Sequence, residues 1–464
     1  MPPTEPSRSW IAAPLQLGAL QPALPLLAQT RLLAFLEDSQ LNLLNRNVAI
    51  NRNFKNNNNA AANAADGVND GVNTNQGAIN EWGHAAMLTY TSGFTQGTVG
   101  LSTEVAAYNA IALDRSREDI KGGSNRTLAH SNGDAVDQWS KLGLANVKAR
   151  MSNTTLTAGR QNFSTPIVDV IGNRALPSSF EGVSIHSEEF NNLSFDAGTF
   201  DRVSPRTEQS LSKFRSEYGN GAETDKVSTL GLNYQPLKSL KTSIFAANVK
   251  DFWNQYYFGA THVLGDSSVV SLTTGLNYYK TVDEGKKLMG NIDNDTYSLS
   301  FGLTHQAHSL TFSYQQVNGN EYFDYLHETN GIYLANSLLS DFNGPNEKSF
   351  QIAYGINMAE YGVPGLKFNI YQARGWGIDG THYTGNGGVK AKYVVQNYPR
   401  TGTIRGRAVF DNQDGRFTPG LYARLKLVGS KPYAATLIKD EAVGTDLGKK
   451  YVLVLGNDNT VAYR

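Results

Sequence analysis

Ser298-Leu299-Ser300-Phe301-Gly302-Leu303-Thr304, a break at Gln306-Ala307-His308, then Ser309-Leu310-Thr311-Phe312-Ser313-Tyr314: these residues decide the fold of the chain. In both arms apolar residues alternate with Ser, Thr and Gly, a period of two that sends them to opposite faces of a strand. Val99, Leu101, Val105 and Ala107 interleave in the same way with Gly100, Ser102, Glu104 and Ala106. From about residue 80 to residue 400 such segments follow one another with no helical pattern between them. The gaps alternate in length. Short ones fall at Ser92-Gly93-Phe94-Thr95, Ser152-Asn153, Leu237-Lys238-Ser239 and Gly362-Val363-Pro364-Gly365, and long polar ones at 53–80, 109–138, 201–226, 281–295, 317–348 and 376–389. The pattern predicts an all-β fold: a transmembrane antiparallel β-barrel, apolar outside and wet inside, with long extracellular loops and short periplasmic turns. Roughly 16 strands are counted by residue 397.

The composition agrees. Among 464 residues there are 45 Gly, 23 Tyr, 20 Phe and no Cys, which excludes disulfides and thiolate metal sites. The 41 basic and 41 acidic residues balance, so no global charge argues for nucleic acid as a partner. No run of 18 apolar residues exists to make a helical span, whereas barrel strands need only half their residues apolar. Aromatic clusters at Trp253, Tyr256, Tyr257 and Phe258, at Tyr278 and Tyr279, and at Tyr322, Phe323 and Tyr325 are read as a girdle at the membrane boundary. The Asn run at 56–59 is read as surface loop. Residues 1–34, with six prolines and an acidic start, read as a poor or damaged leader. Gly-x-Ser-x-Gly and His-Glu-x-x-His are both absent, and Gly385-Asn386-Gly387-Gly388 lacks the Lys-Ser/Thr of a phosphate loop, so neither catalysis nor a cofactor or metal is expected.

Phe35-Leu36-Glu37-Asp38-Ser39, Arg46-Asn47, Asn51-Arg52-Asn53-Phe54 and Ser92 through Gly100 resemble segments of the OprD-family outer-membrane porins. So do Gln255-Tyr256-Tyr257, Tyr314-Gln315-Gln316, Gly362 through Leu366 and Lys392-Tyr393-Val394-Val395-Gln396. The resemblance, collinear over about residues 35–397, implies a barrel of about 18 strands in the cell outer membrane, inserted by the barrel-assembly machinery. It also implies diffusion of small solutes, often carboxylates and basic amino acids. Thr401 through Arg405, Ala408 through Asp411, Pro419-Gly420-Leu421 and Ala442 through Asp446 instead resemble the periplasmic adaptor of tripartite efflux pumps. The expected organisation is therefore a leader over 1–34, a porin barrel over 35–400 and an adaptor-like fragment over 401–464. The alternative function is a chimeric chain that contacts a pump and has no working pore. The alternating runs Ile404–Phe410 and Leu421–Leu427 are expected to form a hairpin between Lys392–Gln396 and Leu41–Asn51, with the remaining residues a small C-terminal β appendage.

Assigning apolar rows to lipid turns Arg46, Lys148, Arg150, Arg405 and Arg407 inward. Such fixed cations raise the local concentration of carboxylate-bearing solutes. The resemblance implies a basic ladder facing acidic residues in a narrow eyelet, and Pro166–Phe180, which carries Asp169 and Arg174, resembles the loop that folds inward there. Ordinary solvation of these charges is the competing reading. A homotrimer of barrels is an expectation that the sequence neither requires nor opposes.

Overall fold

The computed structural model describes residues 34–53, 78–114, 136–219, 221–319, 321–337, 341–363, 366–377, 399–408, 443–446, 449–455 and 461–463. For 50–53, 78–80 and everything from 399 onward the backbone alone is described. The expected leader, the Asn run at 56–59, Gly385–Gly388, Lys392–Gln396 and Leu421–Leu427 lie outside the described residues.

Among the described residues, alternation produces strands where it was read. β1 (Gln40–Asn53), β2 (Ala78–Thr91), β3 (Gly100–Asp114), β4 (Gln138–Met151), β5 (Thr154–Gln161), β6 (Ser179–Phe190) and β7 (Leu193–Ser204) follow one another. A two-stranded ribbon, β8 (Phe214–Arg215) with β9 (Glu223–Thr224), occupies the next loop. The meander resumes with β10 (Val227–Leu237), β11 (Leu240–Val249), β12 (Trp253–Asp266), β13 (Val270–Asp283) and β14 (Asp293–His305). It continues through β15 (His308–Asn318), β16 (Lys348–Asn357), β17 (Leu366–Trp376) and β18 (Pro399–Ala408). Sequential neighbours pair antiparallel in one 16-stranded sheet that omits only the ribbon, so every connection joins adjacent strands. β18 pairs directly with β17. This corrects the expected neighbour, Lys392–Gln396, because the first run of the expected hairpin takes the place beside β17 itself.

Residues up to Asp414 form one compact unit and Gly415–Arg464 a second. In the second unit β19 (Val443–Asp446), β20 (Lys449–Leu455) and β21 (Val461–Tyr463) make a three-stranded antiparallel sheet.

The two faces of the large sheet differ as the alternation requires. Phe301, Leu303, Leu310, Phe312 and Ile352 lie exposed on one face, while Ser298, Ser300, Ser313, Gln315 and Gln351 on the other are buried. In β4 the row changes parity partway along, because a bulge at Gly143 leaves Ala106 opposite Leu144 and Ala107 opposite Leu142. The bulge needs glycine: a Cβ there would stand 2.2 Å from the Tyr108 ring. Trp139 and Lys141 before the bulge, and Asn146 and Lys148 after it, therefore share the inner face.

The aromatic girdle needs correction. Tyr256 and Phe258 are exposed on the outer face, but Trp253, Tyr257, Tyr279, Tyr322 and Phe323 belong to a buried internal cluster against which Tyr325 packs. Period two puts Trp253, Tyr257 and Tyr279 on the inner row, where loops folding back cover them. The outer belt at the long-loop end is instead built from Tyr256, Tyr278, Tyr297, Tyr314 and Trp376, whose rings partly pair, as Tyr297 does with Tyr314 and Tyr314 with Trp376.

A cation on the outer row tests this assignment. Phe301→Arg should destabilise the assembled protein by about 2–4 kcal/mol in denaturant titrations in lipid vesicles. If the change costs no more than it would on a solvated sheet, Phe301 does not face lipid.

Candidate functional site

What fills the inner side is loop. Residues 162–178, between β5 and β6, carry alternating commitments to opposite walls. Phe163, Ile167 and Val168 are buried with Phe180, Phe200, Tyr279 and Phe323. Ala175 and Leu176 are buried with Met87, Tyr108, Trp139 and Leu144, against which Leu44 and Val48 of β1 pack. The loop is held locally as well. The Val168 carbonyl accepts from the Thr165 amide at 2.8 Å, and the Ile171 carbonyl accepts from the Ser178 amide at 2.9 Å.

The residues expected to act on solute take three kinds of place. Arg46, on β1, donates through Nη1 to the carbonyl oxygens of Gly172 at 3.0 Å and Arg174 at 2.8 Å. It is thus a clamp on the loop. Arg174 donates to the Asn173 carbonyl at 3.2 Å. Asp169 accepts from Asn330 Nδ2 at 3.3 Å and the Tyr333 hydroxyl at 3.4 Å, across to the loop 319–347. Burial pushes its carboxyl above the ordinary carboxylate range, against the hydrogen bonds from Ser164, Asn330 and Tyr333. Asp169 therefore joins two loops.

Lys148 and Arg150 do share a face, opposite Ser102 and Gly100 in register. Their surroundings differ. The Arg150 guanidinium lies 4.0 Å from the centre of the Phe94 ring, a cation–π contact near the short-turn end. Lys148 Nζ lies 3.1 Å from Glu104 Oε2, the side chains 24% and 18% exposed. Arg405 and Arg407 stand opposite Asn369 and Lys367 in register, and their side chains lie outside the described residues.

Lys148 and Glu104 open into a polar recess of about 300 Å³ lined also by Thr157, Gln161, Ser164, Ser184, His186 and Asp196. The strands supply it in register: Lys148 opposes Thr157, Thr157 opposes Ser184, and His186 opposes Asp196. Asp196 Oδ1 lies 2.6 Å from His186 Nδ1, and Ser184 Oγ donates to Gln161 Oε1 at 2.5 Å. The recess thus holds a cation, two carboxylates, an imidazole and several neutral hydrogen-bonding groups. Sequence reading put Glu104 in the polar row of β3 but missed its pairing with Lys148, took His186 as an ordinary lumen polar residue and did not single out Asp196. Their strands carried the right parity, and the signal was a titratable residue on each inner row of adjacent strands.

A meandering sheet with an apolar outer face, loops folded onto its inner face and a charged recess beside them defines a membrane β-barrel channel. Comparison with known proteins gives the family. Residues 33–406 match the family described as outer membrane porin, OprD family. Porin D of Pseudomonas aeruginosa is 35% identical over 394 residues, covering 79% of this chain and 84% of that protein. The porin-like protein GalP of Pseudomonas putida is 26% identical over 384 residues, covering 82% and 88%. The crystal structure of OccD3 (OpdP) from Pseudomonas aeruginosa superposes with a TM-score of 0.64 at 43% identity, covering 77% of this chain and 76% of that one. A BenF-like porin from Pseudomonas fluorescens gives 0.67 at 28%, covering 74% and 84%. The chain belongs to the OprD family of outer-membrane porins, and its relatives are channels rather than enzymes. The family match takes in residues 401–406, and the resemblance of 401–464 to an efflux adaptor is not shown by these relatives.

Arg46 offers a direct test of the clamp. Arg46→Ala should lower the local opening free energy of residues 170–176 by about 1.5–3 kcal/mol, the scale of hydrogen bonds from a charged donor. Hydrogen exchange there should accelerate while the barrel strands keep their protection. Equal acceleration in the strands would make Arg46 a general stabiliser of the sheet.

Proposed function

We propose that the channel selects small carboxylate-bearing solutes, amino acids among them, and passes them by diffusion through the charged recess. The observation that supports this most is the Lys148–Glu104 pair at 3.1 Å with Asp196 and His186 in the same recess. Lys148 offers its ammonium to a carboxylate. Glu104 and Asp196 offer acceptors to an ammonium group on the same solute, and Thr157, Gln161 and Ser184 supply neutral hydrogen bonds. Because Lys148 is already paired, its hold on a carboxylate is weak, and a diffusion pore needs binding that is readily reversed. Arg150 extends the cationic row from Lys148 along β4, and Arg405 and Arg407 add two basic positions on β18. Arg46, Asp169 and Arg174 act on the solute indirectly, by holding the loop that narrows its path.

Single-channel recording tests the pair. Lys148→Ala should reduce anion preference and carboxylate residence by about two- to fivefold, since a partly screened charge contributes up to about 1 kcal/mol. Glu104→Gln should shift both the other way by releasing the ammonium. Unchanged selectivity in both variants would reduce the two residues to solvated wall.

A further inference from the structure

Four charged or titratable side chains meet where the loops 205–226 and 319–347 cross. Arg206 engages Glu328 three times: its backbone amide and its Nε each donate to Oε2 at 2.8 Å, and Nη2 donates to Oε1 at 3.2 Å. His327 stands between two carboxylates, with Nδ1 2.6 Å from Glu217 Oε2 and Nε2 3.4 Å from Glu328 Oε1. Arg206 also donates to Asn173 Oδ1, which ties this group to the tip of the loop 162–178. The backbones join beside it. Ser216 and Leu326 form an antiparallel bridge, with the Glu217 amide donating to Tyr325 O and the His327 amide to Arg215 O, both at 2.8 Å.

We propose that Arg206, Glu217, His327 and Glu328 form a latch that holds the infolded loops together, and that loss of the His327 proton releases it. With His327 protonated the group is neutral, two cations against two carboxylates. Without that proton Glu217 and Glu328 face a neutral ring, and the four groups carry a net negative charge, with the Glu328 side chain 6% and the Glu217 side chain 26% exposed. The other groups that bear on the cluster are Tyr325, Tyr218 and Asp341 beside Glu217, with Glu208 and Lys141, the last donating to the Pro205 carbonyl and repelled in turn by Arg160. Apart from Lys141, none adds a cation that could replace the imidazolium.

The titration runs in one direction. Burial would lower the imidazole pKa, but Glu217 and Glu328 outweigh it and hold His327 above its ordinary value of 6.5. Burial would raise Glu328 and Glu217, yet Arg206 and His327 keep Glu328 well below its ordinary value, and His327 and Arg206 keep Glu217 below its own. A raised folded pKa on the histidine means its stabilisation is complete below about 6.5 and is lost as pH rises through the folded value. The depressed carboxylates keep their charge across that whole window. The latch therefore opens on the alkaline side, whichever solute the channel carries.

Recording of the full-length protein in planar bilayers from pH 6 to pH 10 tests this. The expected result is a step in open-channel current or current noise above about pH 6.5. His327→Gln should lose the step and show the alkaline behaviour throughout. Because that variant could also fail to assemble, a second one fixes the bridge itself. The native chain has no cysteine, so Ser216→Cys/Leu326→Cys creates a unique pair: its oxidised form should lack the step and its reduced form should regain it. A native protein without a step, a His327→Gln channel that keeps it, or an oxidised tether that keeps it would each overturn the latch.

Discussion

A strand in lipid must satisfy every backbone donor and acceptor within the sheet, since each unpaired group costs several kcal/mol in hydrocarbon. The rest of this structure follows from that constraint. It forces neighbouring strands to pair in sequence, and it leaves the outer row free to be uniformly apolar. Everything irregular is displaced to the connections. One set of connections is short, as at Ser152-Asn153 between β4 and β5, where Ser152 takes a positive φ of 52°. The other set is long, and the described parts of three of them, 162–178, 205–226 and 319–347, turn back onto the inner wall, where they bury Ile167, Val168, Phe214, Phe323 and Leu326.

How much of this was legible depended on whether the signal was local. The period of two is a local property, so strand positions, the inner and outer rows and the long–short rhythm could be read directly. The inward loop with Asp169 and Arg174 was found through family resemblance, and Arg46 through the parity of its row. Their chemistry was not. Arg46 ends on carbonyls of Gly172 and Arg174, more than a hundred residues away, and no pattern of spacing announces such a pair. The same blindness misplaced the aromatics. Tyr278 and Tyr279 look alike as neighbours in sequence, but their opposite parity sends one to the outer belt and the other under the loops. There the Tyr279 hydroxyl donates to Pro166 O at 2.8 Å and accepts from the Tyr333 amide at 3.0 Å. Parity alone distinguishes them, and it could have been applied.

The bulge at Gly143 shows how one residue redirects that parity. Without the extra residue, a strand that turns Lys141 inward would also turn Val147 and Ala149 inward, and would present Lys148 to lipid. A lysine there is expensive near the middle of the bilayer. The close approach of Tyr108, which leaves no room for a Cβ, fixes where the shift occurs. The position of Lys148 in the recess, and hence its pairing with Glu104, depends on a backbone irregularity that sequence alternation alone could not date to a residue.

The inner wall is divided between two tasks. On β12 to β15 the described polar residues of the inner row are neutral apart from Asp283 at the end of β13, and several are spent on loop backbone. Gln315 Nε2 donates to Asp341 O at 2.8 Å and Phe342 O at 2.9 Å while its Oε1 accepts from the Asn336 amide at 3.0 Å. Ser298 Oγ accepts from the Ala335 amide at 3.0 Å, and Asn294 Nδ2 donates to Glu321 O and Tyr322 O at 2.9 and 2.7 Å. Amides and hydroxyls suit this work, because they satisfy buried peptide groups without the desolvation cost a charge would carry. On β3 to β7 the inner row carries Glu104, Lys148, His186 and Asp196, whose neighbours leave them partly wet. The wall also spends charge on the loops elsewhere: Arg46 of β1 donates to the Gly172 and Arg174 carbonyls and Lys141 of β4 to that of Pro205. Among the described inner-wall residues, the partly wet charges of β3 to β7 differ in this from Arg46 and Lys141, which are committed to loop carbonyls, and that difference is the physical argument for proposing selectivity on that side.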